Sequence, residues 1–384
     1  MSAPAAAAGT GEDHDYPMRT WVFEDAAGRF DIDLGDSNMR PVRFDELTVP
    51  PGLELDYGHD RGIPGLRGRV AALYGGDPGS VLVTQGAQQA LHLVYTTLLT
   101  PGAQVVTFRP GWQQSWDVPS ELGCRVELVG YRPDLTFDVE AAERVAGPEL
   151  RLIVVNSPCN PTGRHIAAAD LRRLAALAAR TGAYLLLDEE YALGLSASFA
   201  VGADRVVSVS SLSKVYGFPG LRVGWMYGPR PLVDACARSK FLATISNSVL
   251  CEELACTVLD ERERHLSAYR ELTGRGLALV RGFAERNADA VRLVEPQGTP
   301  FAWLWLTTGE RPLAMCRRAL DLGVLLMPGE TLGARDGFRI CFAREPEAVA
   351  EGLRRVERVL RPPGGAGPGA APGPEAPTGP PPPS

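Results

Sequence analysis

Two of the 39 basic residues in this 384-residue chain are lysines, Lys214 and Lys240; the others are all arginine. Together with an excess of Ala, Gly and Pro, this bias reads as the habit of a GC-rich genome. It makes each surviving lysine informative, because an amine can attack a carbonyl and a guanidinium cannot. Lys214 stands in Ser211-Leu-Ser-Lys-Val-Tyr-Gly-Phe-Pro-Gly-Leu-Arg222, an open turn after an apolar run. Desolvation and neighbouring charge would turn its amine into a nucleophile. Ser211, Ser213 and Arg222 offer hydroxyl and guanidinium donors of the kind that hold a phosphate. Lys240, in a helical stretch beside Phe241, lacks such company and reads as an ordinary surface lysine.

Other segments carry usable chemistry. In Thr84-Gln-Gly-Ala-Gln-Gln-Ala-Leu91 a strand should enter a helix. Gly86, Ala87 and Gln88 would then present main-chain N–H groups to an anion, or simply form the turn. Leu185-Leu-Leu-Asp-Glu-Glu-Tyr191 ends an apolar strand in acid. A carboxylate at Asp188 is costly there unless a cation meets it. Glu189 and Glu190 fit a solvated strand end. Arg339, in Gly337-Phe-Arg-Ile-Cys-Phe-Ala343, is suited to bidentate binding of a carboxylate.

The elements that must position these residues follow from periodicity. Apolar runs at 81–84, 104–108, 125–128, 152–156, 184–188, 205–209 and 222–227 read as buried strands, with amphipathic stretches at 88–99 and 168–181. That alternation predicts an α/β layer with a mainly parallel sheet. The stretch 231–285 reads as long helices; strands at 291–294, 301–306, 324–327 and 338–342, with helices at 311–322 and 346–360, predict a smaller α+β unit. The expected domains are an arm at 16–50, a large domain at 51–230, connecting helices at 231–285 and a small domain at 286–361. The arm would dock through Tyr16 and Trp21. The ends, 1–15 and the Pro/Gly-rich 362–384, are too poor in apolar residues to fold.

Composition excludes some classes. A net charge of −7 without charge blocks argues against nucleic acid or an anionic membrane as the main partner. No apolar run is long enough to span a bilayer, and no secretion signal is expected. Seven scattered cysteines without metal-type spacing read as reduced cytoplasmic thiols, and no metal site is expected.

Ser-x-Ser-Lys, with an arginine eight residues beyond the lysine, resembles the signature of the class I/II aminotransferases, the fold-type I pyridoxal 5′-phosphate enzymes. Further segments resemble that family in the same order, among them Tyr57-Gly-His-Asp-Arg-Gly-Ile-Pro-Gly-Leu-Arg67, Pro110-Gly-Trp112 and Asn156-Ser-Pro-Cys-Asn-Pro-Thr-Gly163. The resemblance implies that Lys214 forms a Schiff base with the cofactor and moves a proton between Cα and C4′. It implies that Gly86, Ala87, Gln88, Ser211, Ser213 and Arg222 hold the phosphate, and that Trp112 stacks on the pyridine. Asp188 would pair with the protonated ring nitrogen, and Asn160 and Tyr191 with the ring oxygen. Arg339 would clamp the substrate α-carboxylate, with Gly35 and Asn160 alongside. Tyr57 would reach the phosphate of the neighbouring subunit, which makes a homodimer. The implied reaction exchanges the amino group of an L-amino acid with a 2-oxo acid.

The chain departs from that pattern in one loop. Where the family has Gly-Glu-Pro or similar, this chain has Leu34-Gly-Asp-Ser-Asn-Met39, and Gly35 is the one clear match. Asp36, Ser37 and Asn38 either contact a polar substrate or form a turn. The likeness also extends to a capreomycidine-synthase-like branch of specialised metabolism. There a lyase, cyclase or deaminase reaction on a modified amino acid is the alternative. A non-catalytic sensor on the same fold is disfavoured, since no DNA-binding segment precedes the arm.

Overall fold

Strands buried on both faces need apolar residues at nearly every position, and the runs identified above satisfy that condition except 125–128, expected to be buried but largely exposed at the sheet edge. The computed structural model describes residues 16–361; both expected disordered ends lie outside the described residues. A two-residue strand, β1 (Ile32–Asp33), comes first. It is followed by β2 (Val81–Thr84), β3 (Gln104–Arg109), β4 (Arg125–Gly130), β5 (Leu150–Asn156), β6 (Tyr184–Asp188), β7 (Val206–Ser211) and β8 (Gly224–Tyr227). These last seven form one sheet in the order β2-β8-β7-β6-β5-β3-β4. β3 to β7 run parallel, and β8 lies antiparallel to both β2 and β7.

Alternate residues of a strand serve opposite faces of the sheet. Val81 and Val83 join a cluster with Leu66, Val70 and Leu174, while Leu82 joins Ala90, Val94 and Val233 on the other side. Helices Gly86–Leu98 and Arg230–Ala243 cover that second face, and Pro64–Tyr74 and Ala168–Thr181 the first. The expected strand at 222–227 begins two residues late, because Arg222 adopts φ 53° in the left-handed region.

Three helices, Arg230–Ala243, Val249–Asp260 and Arg262–Arg286, occupy the stretch expected to be helical. A second sheet follows, with β9 (Val291–Val294), β10 (Phe301–Leu306), β11 (Val324–Leu325), β12 (Met327–Pro328) and β13 (Gly337–Cys341) as the remaining strands. Its order is β12-β13-β10-β9, all antiparallel. The run expected as one strand at 324–327 is split. β11 pairs with β1 and β12 with β13, and between them the Leu326 carbonyl accepts the Trp21 indole N–H at 2.8 Å. Trp21, Ile32 and Leu34 share a hydrophobic cluster with Phe283, Trp303 and Val356, so the N-terminal stretch packs on the second sheet.

Candidate active site

The site lies at the carboxyl ends of the parallel strands, where the sheet's order places binding crevices in open α/β folds. β5 ends at Asn156, β6 at Asp188 and β7 at Ser211, and register aligns Asn156 with Asp188. The loops leaving these ends carry the chemistry. A cavity of about 220 Å³ collects Ala87, Gln88, Trp112, Asn160, Asp188, Tyr191, Ser211, Ser213, Lys214 and Arg222. Residues separated by more than a hundred positions are thus brought together as the motifs require.

An anion seat is built at one end of this cavity. Helix Gly86–Leu98 starts without a side-chain cap, leaving its first-turn N–H groups for another acceptor. Gly86 has φ 76°, and a Cβ there would stand 2.5 Å from the Arg222 guanidinium. A Cβ on Gly224 would meet the Gly86 carbonyl carbon at 2.4 Å. The two glycines let β8 press Arg222 against the helix start. Ser211 and Ser213 face the same space, and the Ser211 hydroxyl accepts the Ser213 N–H at 2.9 Å. Main-chain donors, hydroxyls and a guanidinium make a donor set that fits a phosphate.

Asp188 is buried at 5% exposure. Burial, and next the adjacent Glu190, push its carboxyl up to about 7. Asn156 positions its surroundings: its Nδ2 donates to the Asp188 carbonyl at 3.0 Å, and its Oδ1 accepts the Asn160 N–H at 2.6 Å. Tyr191 is buried edge-on against Phe301 at 4.9 Å between ring centroids. Trp112 donates its indole N–H to Gln88 at 3.1 Å, which fixes the ring at the cavity wall. The Lys214 amine donates to the Ser37 hydroxyl at 3.1 Å.

Arg339 comes from the second sheet. It sits on β13 opposite Trp303 and is 2% exposed. Its Nη1 donates to Asn160 Oδ1 at 2.6 Å and its Nη2 to the Gly35 carbonyl, while the guanidinium carbon lies 5.2 Å from the Phe301 ring centre. Its Nε is buried without a partner. A buried guanidinium with a free donor is suited to an incoming carboxylate. A larger cavity of about 600 Å³ continues from this point. It shares Ser37, Trp112, Gln114 and Lys214 with the first and adds Arg339, and N-terminal residues including Met18, Val22 and Phe23 line its far side.

The unusual loop divides its work. Asp36 and Ser37 line the larger cavity, whereas Asn38 is bound up in a turn. The Asn38 carbonyl accepts from Arg344 and from the Cys341 thiol, and Arg344 also donates to the Asp33 carbonyl at 3.1 Å. Burial opposes ionisation of Asp36, but Lys214, the Ser37 N–H, Arg344 and Arg339 outweigh it and hold the carboxyl below its usual value. Gly35 packs tightly, since a Cβ there would stand 2.7 Å from Leu325.

Two expectations are corrected. Glu189 and Glu190 are no solvated strand end: Glu190 is 7% exposed, faces the cavity and accepts the Ser211 hydroxyl at 3.0 Å. Glu189 instead turns inward to accept from Ser198 and Ser208. Parallel strands covered on both faces turn these acids away from the outer surface, Glu189 to half-burial and Glu190 to the cavity. Lys240 is no surface lysine but completely buried. Tyr57, for its part, is 79% exposed and lines neither cavity of its own chain. Sequence reasoning also missed Asn156 as a positioning residue. Its place at the end of a buried strand was the available signal. Among the described residues no group of acids, histidines or cysteines could hold a metal, and all seven cysteines are free.

Comparison with known proteins agrees with this geometry. The family model "Aminotransferase class I and II" matches residues 52–356. Capreomycidine synthase of Streptomyces vinaceus is 29% identical, over 90% of this chain and 93% of its own length. Arginine–pyruvate transaminase AruH of Pseudomonas aeruginosa is 32% identical, over 78% of this chain and 81% of its own. Among solved structures, a PLP-dependent aminotransferase from Streptococcus suis superposes with a TM-score of 0.84 at 26% identity, covering 91% of this chain and 98% of that one. The PLP-dependent cyclase OrfR gives the same TM-score and identity, covering 93% and 99%. This chain belongs to the class I and II aminotransferase family, and its fold is the fold-type I architecture of pyridoxal-phosphate enzymes.

Proposed function

We propose that this chain is a cytoplasmic, homodimeric aminotransferase that exchanges the amino group of an L-amino acid with a 2-oxo acid, using pyridoxal 5′-phosphate. The observation that carries the reading is the place of Lys214 at the junction of two adjoining cavities, one with Asp188 and an anion seat and the other with Arg339. When bound, the cofactor supplies an electron sink for charge developing at the substrate Cα. The remaining work belongs to the protein. Lys214 would provide the amine that holds the cofactor, and the same amine would move the proton between the substrate Cα and C4′. Asp188 keeps the ring nitrogen protonated, because a cation opposite a buried carboxylate removes the cost of its charge. Arg339, held by Asn160 and the Gly35 carbonyl, binds the α-carboxylate and so sets which Cα bond stands perpendicular to the ring. Trp112 and Tyr191 supply the stacking face and a hydrogen bond to the ring oxygen, and Tyr57 of each chain serves the phosphate of the second copy.

A second reading is a lyase or cyclase acting on a modified amino acid. It is favoured by the near full-length similarity to capreomycidine synthase and to OrfR, and by the departure at Asp36 and Ser37, which puts a hydroxyl on the Lys214 amine. Product mass spectrometry over a broad amino-acid panel, with and without 2-oxoglutarate, separates the two. Transamination requires the 2-oxo acid and yields the matching oxo acid from the donor. Ammonia or a cyclised product formed without any oxo acid would replace the first reading by the second.

A further inference from the structure

The chain's other lysine has a role that its arginine-rich composition makes conspicuous. Lys240 is fully buried, on the helix Arg230–Ala243 that packs against the anion-seat helix Gly86–Leu98. Its amine donates at 2.7 Å to the backbone carbonyl of Asp60. Beside it lies Glu252, 1% exposed, whose two carboxylate oxygens accept the Ile63 N–H at 2.7 Å and the Asn247 Nδ2 at 2.7 Å. The neighbouring Ser246 hydroxyl accepts the Gly58 N–H at 3.2 Å. Three backbone groups between Gly58 and Ile63 are therefore held by polar side chains, Lys240 and Glu252 buried and Ser246 half-buried, and Tyr57 immediately precedes them.

Burying an amine and a carboxylate costs more than burying apolar groups of the same shape, so such a cluster is weak support for stability and is better explained by placement. The segment is shaped for close approach. Gly62 has φ 96°, and a Cβ there would strike Val83 at 2.4 Å and approach Glu252 Oε1 to 3.3 Å. Burial pushes the Lys240 amine down to about 8, while Glu252 and Asp60 pull it upward. A longer guanidinium has no solvent to extend into at this fully enclosed position, which accounts for a lysine where the chain otherwise uses arginine.

We propose that Lys240, with Glu252 and Asn247, is a positioning residue for the cofactor site: it fixes the 58–63 segment so that Tyr57 projects at a set distance from the anion seat of a second copy. The proposal rests on the reading that Tyr57 serves the cofactor phosphate. The test is a double-mutant cycle on the full-length protein, with pyridoxal phosphate affinity read by titration of the apoprotein. Apoprotein Tm and amide exchange of the 58–63 segment are measured in parallel. Tyr57→Phe should weaken cofactor binding about tenfold, the loss of one charge-assisted hydrogen bond. Lys240→Met should weaken it severalfold and speed exchange in the segment, yet add almost nothing once Tyr57→Phe is present. If Lys240→Met does not fold, Asn247→Ala, which strips one contact from Glu252, is put through the same cycle with the same expected pattern. Equal losses in both backgrounds, or no loss in either, overturn the positioning role while leaving the Tyr57 reading intact. Unchanged affinity in Tyr57→Phe overturns both.

Discussion

Arg339 and Asn160, 179 positions apart in the chain, are joined by a buried hydrogen bond of 2.6 Å. The bond ties the second sheet to the loop after β5, and it aims a guanidinium whose Nε has no protein partner into the site. Asn160→Ala should leave the protein folded but raise KM for the amino acid, with kcat/KM falling about ten- to a hundredfold, as expected for ~1.5–3 kcal/mol from a hydrogen bond to a charged group. Arg339→Lys should lose at least as much, because an ammonium cannot reproduce the planar fork. Steady-state kinetics of both variants check this; an unchanged KM in Arg339→Lys would remove the arginine from carboxylate binding.

Lys214→Ala should abolish both activity and the visible absorbance of covalently attached cofactor. Lys240 cannot substitute, since its amine is completely enclosed and engaged with the Asp60 carbonyl. Absorbance spectra and mass spectrometry after borohydride reduction check the point. A reduced adduct persisting in Lys214→Ala would overturn the assignment.

Asp188 gives a stability prediction with a definite sign. Its folded-state carboxyl is raised to about 7 by burial and by Glu190, against about 3.9 in an unfolded chain. Below about pH 4 both states hold the proton. Between about pH 4 and 7 the unfolded carboxyl ionises while the folded one resists, so the unfolded state is favoured and apoprotein stability falls as pH rises. Above about 7 both are ionised and this contribution levels off. Apoprotein Tm across this range should decline less in Asp188→Asn. Glu190→Gln removes the neighbouring charge and should move the decline to lower pH. Turnover should drop by at least about a hundredfold in Asp188→Asn, given the size of electrostatic contributions of this kind.

Ser37→Ala removes the hydroxyl that accepts from the Lys214 amine. Cofactor attachment should survive, because the anion seat and Asp188 are untouched. The pH profile of kcat should shift, and kcat should fall by about tenfold for the loss of a hydrogen bond of ~1 kcal/mol or slightly more. Cofactor content by absorbance, measured beside the rate profile, separates this effect from a binding defect.

Much of the site was legible because its signals are local. Asp188 ends an apolar strand, Gly86 stands where a strand enters a helix, and Lys214 lies in an open turn; each depends on neighbours a few residues away. The inner strands of the large sheet were readable for the same reason, since burial on both faces imposes continuous apolar runs, whereas the edge strand β4 is largely exposed. Boundaries failed where a single side chain intervened, as at Leu326, whose carbonyl is taken by Trp21 from 305 positions away.

What the sequence by itself determined was the fold class, the family and the identities of the chemical groups, because periodicity and motif order are written in short segments. Only the tertiary structure decided which acids and amines are buried. Glu190 and Lys240 have the composition of surface residues, but the strands and helices around them bury Lys240 completely and leave Glu190 only the active-site cavity to face. Burial depends on elements contributed from the whole chain, and it is burial that turns an ordinary lysine into a fixed donor and an ordinary carboxyl into one that resists ionisation.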